Sequence, residues 1–391
     1  MNNLKHDRYK KLCEILIKIP NVILNIIIEY DYIFNGKVES ILEGNLCSVL
    51  AIELLSDGRI VAAGGSEISK NNKRHYDHNI KIFKSNNCVK TISTRKQNIY
   101  SMIISHDDKI IVGLEFYIII CDPDTGDIIR HIKTNTNRII KLYEYKSDII
   151  FGSRDINNYE TLIIKKWNTI NNTITNISDT SFDFHNSYLH DHEQHAYKNF
   201  ITLSNTIPII CIGNFIYNFN NSYIKINNKI STCTLILSTN KIIQGNIDGS
   251  LTFFNSQFQT LNTYFIAKGS IDKIVQISND KFCISVHLSN IYDPREYFGI
   301  YILDINNQEV IDTKIRLQFN CLIGILPDTH IVLAKDIPNY FTELLLFNPE
   351  TLKIDNKLTI SSYPSYERTI TISNTGSIIC GLIDGRVEIY N

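Results

Sequence analysis

The residues of this chain best suited to chemistry lie in one short stretch, "HNSYLHDHEQHAYK", which carries His185, His190, Asp191, His192, Glu193 and His195. Imidazoles and carboxylates are good zinc ligands, and His192 and His195 stand three apart. The stretch nevertheless shows neither a helical nor a strand period, and nothing near it offers a second shell to orient the rings. It is read as a solvated loop between structural elements, with no metal expected. No G-x-S-x-G, P-loop, G-x-G-x-x-G or H-E-x-x-H motif occurs. No catalytic residue and no cofactor are assigned, and the chain is expected not to be an enzyme. A central-channel active site is the least favoured alternative.

The nine cysteines are scattered, never within a C-x-x-C spacing, and most sit in apolar runs such as "YIIIC" and "SIICG". That usage points to small core residues in a reducing compartment. The first residues, "MNNLKHDRYKK", are too polar for a secretory signal, and no run of 18 apolar residues occurs. A cytoplasmic location without membrane contact is expected. Lys and Arg total 39 against 40 Asp and Glu, a net charge of -1, which lacks the basic footprint of a nucleic-acid binder. The abundance of Ile and Asn matches a base-biased genome and needs no functional cause.

The elements that would position any site come from repetition. "NKIIQGNIDGSLTFFN" (240–255) and "GSIICGLIDGRVEIYN" (376–391) align without a gap. Gly245 falls on Gly381, Asp248-Gly249 on Asp384-Gly385, and Phe254-Asn255 on Tyr390-Asn391. Each is two β-branched strands around an Asp-Gly turn, where glycine supplies the positive φ of a tight hairpin. Weaker copies start near Asp57, Asp107, Lys146, Asn279 and Asp328, and a poor one at Ile207. Strand-like segments such as "VLAIELL", "IYSMIIS" and "IDKIVQIS" precede them, and others such as "DIIRHIK" follow. Four strands repeating at roughly 32 to 60 residues make a β-propeller blade. The fold class is all-β, a propeller of seven or eight blades, with eight favoured if the Ile207 copy counts. Two polar insertions, at 66–79 and around 185–195, are read as surface loops.

The third strand of several copies ends on Trp167-Asn168, Phe254-Asn255, Phe347-Asn348 or Tyr390-Asn391, and on Cys121-Asp122 or Leu303-Asp304 in two more. This resembles the Trp-Asp ending of WD-repeat blades, over residues 37–391. The resemblance implies that "KVESILEG" (37–44) completes the last blade and closes the ring, and that the disc binds proteins through its faces.

Residues 1–36 break the β pattern. Leu4, Leu12, Ile15, Leu16 and Ile19 stand at near-helical spacing up to Pro20, and Val22, Ile23, Ile26, Ile27 and Tyr30 share another helical face. "IPNVILNIIIEY" resembles the opening of an F-box. The resemblance places Ile19, Pro20, Ile23, Ile27 and Tyr30 against the adaptor of a cullin ligase; the alternative is a helical cap on the propeller. The two features in an Ile- and Asn-rich chain are similar in style to repeat proteins of giant DNA viruses. The chain is thus expected to be a protein-interaction scaffold, or alternatively a substrate receptor of a ubiquitin ligase.

Overall fold

Second strands and fourth strands of the repeats differ sharply in what they bury. Ile60–Gly64, Ile110–Gly113, Ile242–Asn246 and Ile378–Gly381 are buried at every position. Ile128–Lys133 and Thr260–Phe265 are mostly exposed. A strand buried on both faces needs an unbroken β-branched run, and "IIQGN" or "IICG" supplies it. A strand on an outer rim needs only a ladder partner, and "IIRHIK" can keep its charges in water. The gradient means that sheets stack face to face with their early strands inward.

A computed structural model of the chain describes residues 38–42, 49–64, 67–70, 73–76, 78–85, 87–94, 97–154, 161–176, 182–183, 202–203, 209–212, 215–218, 223–225, 231–237, 239, 241–290, 293–318, 322–337, 341–360, 369–382 and 386–391. Among them all regular structure is β-strand. Seven four-stranded sheets and one of five strands follow one another along the chain. They span 49–93, 101–133, 137–183, 202–225, 231–265, 270–318, 322–360 and 370–390, each antiparallel and each in chain order. The sheet at 137–183 has its fifth strand, Phe182–Asp183, on Thr161–Asn168. The weakest repeat in the sequence, near Ile207, does form a four-stranded sheet.

First strands touch in succession, from Val49–Leu54 to Ser101–Ile104 to Asn137–Tyr145, and again from Thr202–Leu203 through Ser231–Ile236, Ser270–Gln276 and Leu322–Ile325 to Ile370–Ile372. The last of these touches Val49–Leu54 once more. They therefore surround an axis. Among the described residues, six apolar cores each fill a gap between two neighbouring sheets. Val61, Ile80 and Ile82 meet Ile110 and Val112, for example, and Leu345 and Phe347 meet Cys283 and Ile302. The aromatic residues that end third strands, Trp167, Phe254, Phe347 and Tyr390, are all among the largest fully buried side chains.

The asparagines after them have a different task. Asn168 Oδ1 accepts from the backbone N–H of Ile170 and Asn171, and Asn255 Oδ1 from Gln257 and Gln259. Asn348 Oδ1 does the same for Glu350 and Thr351. Asp122 holds Asp124 and Thr125 in the equivalent turn. A side-chain oxygen that caps the turn is what the position requires, and Asn supplies it as well as Asp does. Lys109 adds a 2.7 Å ion pair to Asp122; that contact first, and the two backbone donors after it, hold the carboxyl down at about 2.

The ring closes through the ends of the described chain. Val38–Leu42 pairs antiparallel with Val387–Tyr390 as the fourth strand of the last sheet. Leu42, Val49, Ile52 and Phe83 form one core with Ile379 and Val387 across the seam. The backbone N–H of Val49 donates to Leu382 O at 3.1 Å, as that of Ile139 donates to Leu114 O at 3.0 Å between two ordinary neighbours. Gly381 permits this approach, because a Cβ there would stand 2.6 Å from Val49 Cγ1 and 2.7 Å from Ile52 Cδ1. The turn glycine Gly249 has φ +79°, as its Asp-Gly sequence requires.

One loop in the sequence reading is corrected. The insertion at 66–79 contains a two-stranded ribbon, Glu67–Lys70 against Lys73–Tyr76. Its polar residues carry no apolar period, so only backbone pairing announces it. The 1–36 segment and the 185–195 histidine stretch lie outside the described residues.

Two substitutions test these contacts. Gly381→Ala is expected to lower unfolding free energy by about 1–3 kcal/mol, since the seam must move to admit a methyl group. Asn255→Asp is expected to be nearly neutral, whereas Asn255→Ala should cost about 1 kcal/mol. Urea unfolding of the three variants measures both.

Candidate functional site

Where the first strands of the first three sheets converge, their side chains leave a cavity of about 510 Å³. Residues 51–53, 100–106 and 140–144 line it. The strand Val49–Leu54 explains one wall: its first four positions are buried between sheets, and the burial lapses at Glu53. Asn137–Tyr145 supplies Lys141, Tyr143 and Glu144 from the wider strand opposite. Tyr100 and His106 flank the strand between them.

The cavity is charged on its walls. Burial pushes the Glu53 carboxyl up to about 7, with the Lys141 ammonium pulling it back down. No hydrogen-bond donor among the described residues reaches the Glu53 carboxylate. Lys141 Nζ also stands over the Tyr143 ring, 5.6 Å from its centroid, and the Arg138 guanidinium over Tyr100 at 5.6 Å. At the rim, Glu144 receives both the His106 backbone N–H and His106 Nδ1, each at 2.7 Å. That contact raises the His106 pKa.

His106, Asp107 and Glu144 are the only group of metal-ligating type among the described residues. His106 and Asp107 are exposed, and the nitrogen nearest Glu144 is spent on that carboxylate. The arrangement is an ion pair at the mouth of the cavity. The buried thiols among the described residues offer no chemistry either. Cys121, Cys233, Cys283 and Cys380 are free and buried, and burial raises each pKa, that of Cys121 to about 12. They act as core hydrophobes, in line with their apolar sequence settings.

The cavity is lined by described residues other than those singled out in the sequence. Ile19, Pro20, Ile23, Ile27 and Tyr30, and the histidines at 185–195, lie outside the described residues. The sequence reading missed Glu53. Its only signal was a lone acid inside the apolar strand "VLAIELL".

With this geometry in place, the solved structures decide the fold. A crystal structure of the computationally designed Ika8 protein superposes with a TM-score of 0.59 at 11% identity, over 91% of this chain and 99% of that one. The WD40 β-propeller domain of Doa1 superposes with a TM-score of 0.50 at 12% identity, over 92% and 97%. The fold is that of a β-propeller. A chain of a mitotic checkpoint complex gives 0.48 at 10% identity, over 92% and 93%, too distant to carry an argument. No family model matches the sequence, and no curated protein matches it.

The cavity is lined by first strands, the innermost strands of their sheets. Glu53 therefore governs pH response there. Unfolded, its carboxyl titrates near 4.5; folded, near 7. Between those values the folded protein holds a proton the unfolded chain has released, so stability falls as pH rises and is level above pH 7. Glu53→Gln is expected to gain up to about 3 kcal/mol over wild type at pH 8 and nothing at pH 4. Thermal unfolding across that range measures the crossing.

Proposed function

We propose that this chain is a non-enzymatic, eight-bladed scaffold that binds other proteins through the faces of its disc, acting in the cytoplasm, that of the host if the chain is viral. The observation that carries the reading is ring closure through Val38–Leu42 and the seam core. A closed ring fixes its turns relative to one another, and rigid presentation of loops is what a recognition surface needs. Bridges between neighbouring sheets support it. Arg59 reaches Asp124 at 2.7 Å, and Lys281 reaches Glu350 at 3.0 Å, each from the first turn of one sheet to the last turn of the next. Balanced charge favours protein partners over nucleic acid.

A second reading rests on the sequence of residues 1–36. An Ile-Pro pair followed by an amphipathic period favours an F-box-type receptor, in which Ile19, Pro20, Ile23, Ile27 and Tyr30 dock a cullin-ligase adaptor while the disc holds a substrate.

The full chain and a version starting at Lys37 separate the two. Each is expressed in host-like cells, and the proteins that co-purify are identified by mass spectrometry. The scaffold reading expects one shared set of partners and no ligase subunits. Ligase subunits that come down with the full chain and vanish on truncation would establish the receptor. Absence of any specific partner from both would overturn the scaffold.

A further inference from the structure

The outer strand of a sheet leaves one row of backbone groups unpaired, and proteins protect such edges with charged side chains, proline or brevity. Most outer strands here follow that rule. Lys90 lies in Asn87–Ser93, Arg130 and Lys133 in Ile128–Lys133, and Glu39 in Val38–Leu42. Glu309–Gln318 and Lys353–Ile360 each carry several charges. The 137–183 and 202–225 sheets end in short pieces, Thr173–Asn176, Phe182–Asp183 and Tyr223–Lys225. Thr260–Phe265 is the exception among the described residues: six residues, "TLNTYF", without a charge, a proline or a glycine.

Its side chains are exposed except that of Tyr264, whose ring packs edge-on against Phe253 with centroids 5.6 Å apart. Successive residues alternate between faces, so Leu261, Thr263 and Phe265 share the face opposite Tyr264. On it Leu261 is 45% exposed and Phe265 64%. The ladder also fixes which backbone groups reach the edge. Phe265 pairs with Ser250 and Tyr264 with Leu251, and the N–H of Ile266 donates to Gly249 O at 3.0 Å. Hydrogen-bonded pairs alternate along an antiparallel ladder, so Tyr264 spends its N–H and C=O on Leu251. Those of Thr263 and Phe265 point to the open edge.

We propose that Thr260–Phe265 pairs antiparallel with the same strand of a second copy of this chain, about a twofold axis through Thr263. In that register Thr263 meets Thr263, and Leu261 meets the other copy's Phe265 on both sides of the axis. A twofold perpendicular to the sheet brings like faces together, and here it also sets outward-pointing backbone groups against one another. Each exposed Phe265 gains an aliphatic cross-strand neighbour, a pairing that stabilises a sheet. The strand's own sequence argues for this occupant. Apolar side chains stand two positions to either side of Thr263, so the strand complements itself, and no charge is brought against its own copy. The contact is one strand from each copy, which makes a weak dimer of micromolar dissociation constant.

Sedimentation equilibrium of the full chain from about 1 to about 300 μM tests this, with Thr263→Lys and Thr263→Glu alongside the wild type. The wild type should pass from monomer to dimer across that range. Thr263 is exposed and its backbone groups are outside the inner ladder, so both variants should fold, which their melting temperatures check. Each variant alone should dimerise at least about tenfold more weakly, because the axis sets like charges face to face. An equimolar mixture of the two should recover the dimer, since the introduced lysine then meets the introduced glutamate. That recovery separates a twofold through Thr263 from any other contact between copies. A wild type that stays monomeric at the highest concentration, variants that dimerise as the wild type does, or a mixture no stronger than its components would overturn the proposal. A monomeric wild type whose co-purified partners are lost on Thr263→Lys would also overturn it, and would give the edge to a strand of a different protein.

Discussion

A row of stacked sheets has two ends, and each would expose a full apolar face and a sheet edge to water. Everything else in this protein depends on removing them. Val38–Leu42 covers the edge of Val387–Tyr390, and the last sheet packs on the first through Ile379 and Val387 against Val49, Ile52 and Ile60. The seam is not a special joint. Val49 N–H to Leu382 O repeats Ile139 N–H to Leu114 O, and both acceptors follow a glycine, Gly381 and Gly113, that lets the next first strand come close. A closure that reproduces an ordinary junction adds no strain of its own. It does demand that residues near the two ends of the sequence find each other, which is the costliest kind of contact to form in folding.

Within the ring, the chemistry of each position is set by what touches it rather than by residue identity. Third-strand ends tolerate Trp167, Phe254, Phe347 or Tyr390 because the requirement is bulk in a gap between sheets. The next position tolerates Asn or Asp because the requirement is one acceptor oxygen over a turn. Third-strand ends can therefore vary widely in residue type while a blade keeps its shape. That explains how the fold persists at 11–12% identity to the Ika8 and Doa1 structures.

The same logic says what a sequence of this kind reveals. First, second and third strands are legible because their apolar runs and Gly-containing turns are demanded by burial on both faces, as in "NKIIQGNIDGSLTFF". Outer strands such as Lys353–Ile360, with exposed residues at alternate positions, give a weaker signal. The ribbon at Glu67–Tyr76 gives none, because its pairing uses backbone groups that every residue carries. Glu53 is illegible for a third reason. Its meaning comes from Lys141, nearly ninety positions away in the chain, and from a cavity that exists only once three sheets have been wound about one axis.

Among the described residues six gaps between sheets are filled with apolar side chains, yet one further buried face carries a polar patch. On the 231–265 sheet, Gln244, Asn246, Ser250 and Thr252 lie beside the apolar Ile242 and Phe254 on the face opposite the one that meets 270–318, and Asn246 Nδ2 donates to the hydroxyls of Ser250 at 3.0 Å and Thr252 at 3.1 Å. The Asn246 hydrogen bonds contribute little net stability, since each replaces one to water. What the patch does is forbid alternatives. In a ring of near-identical sheets, an apolar face could pack against any other, whereas a polar one is penalised wherever its partners are missing. Interchangeable cores make a ring easy to build, and a buried polar patch restricts what one face accepts.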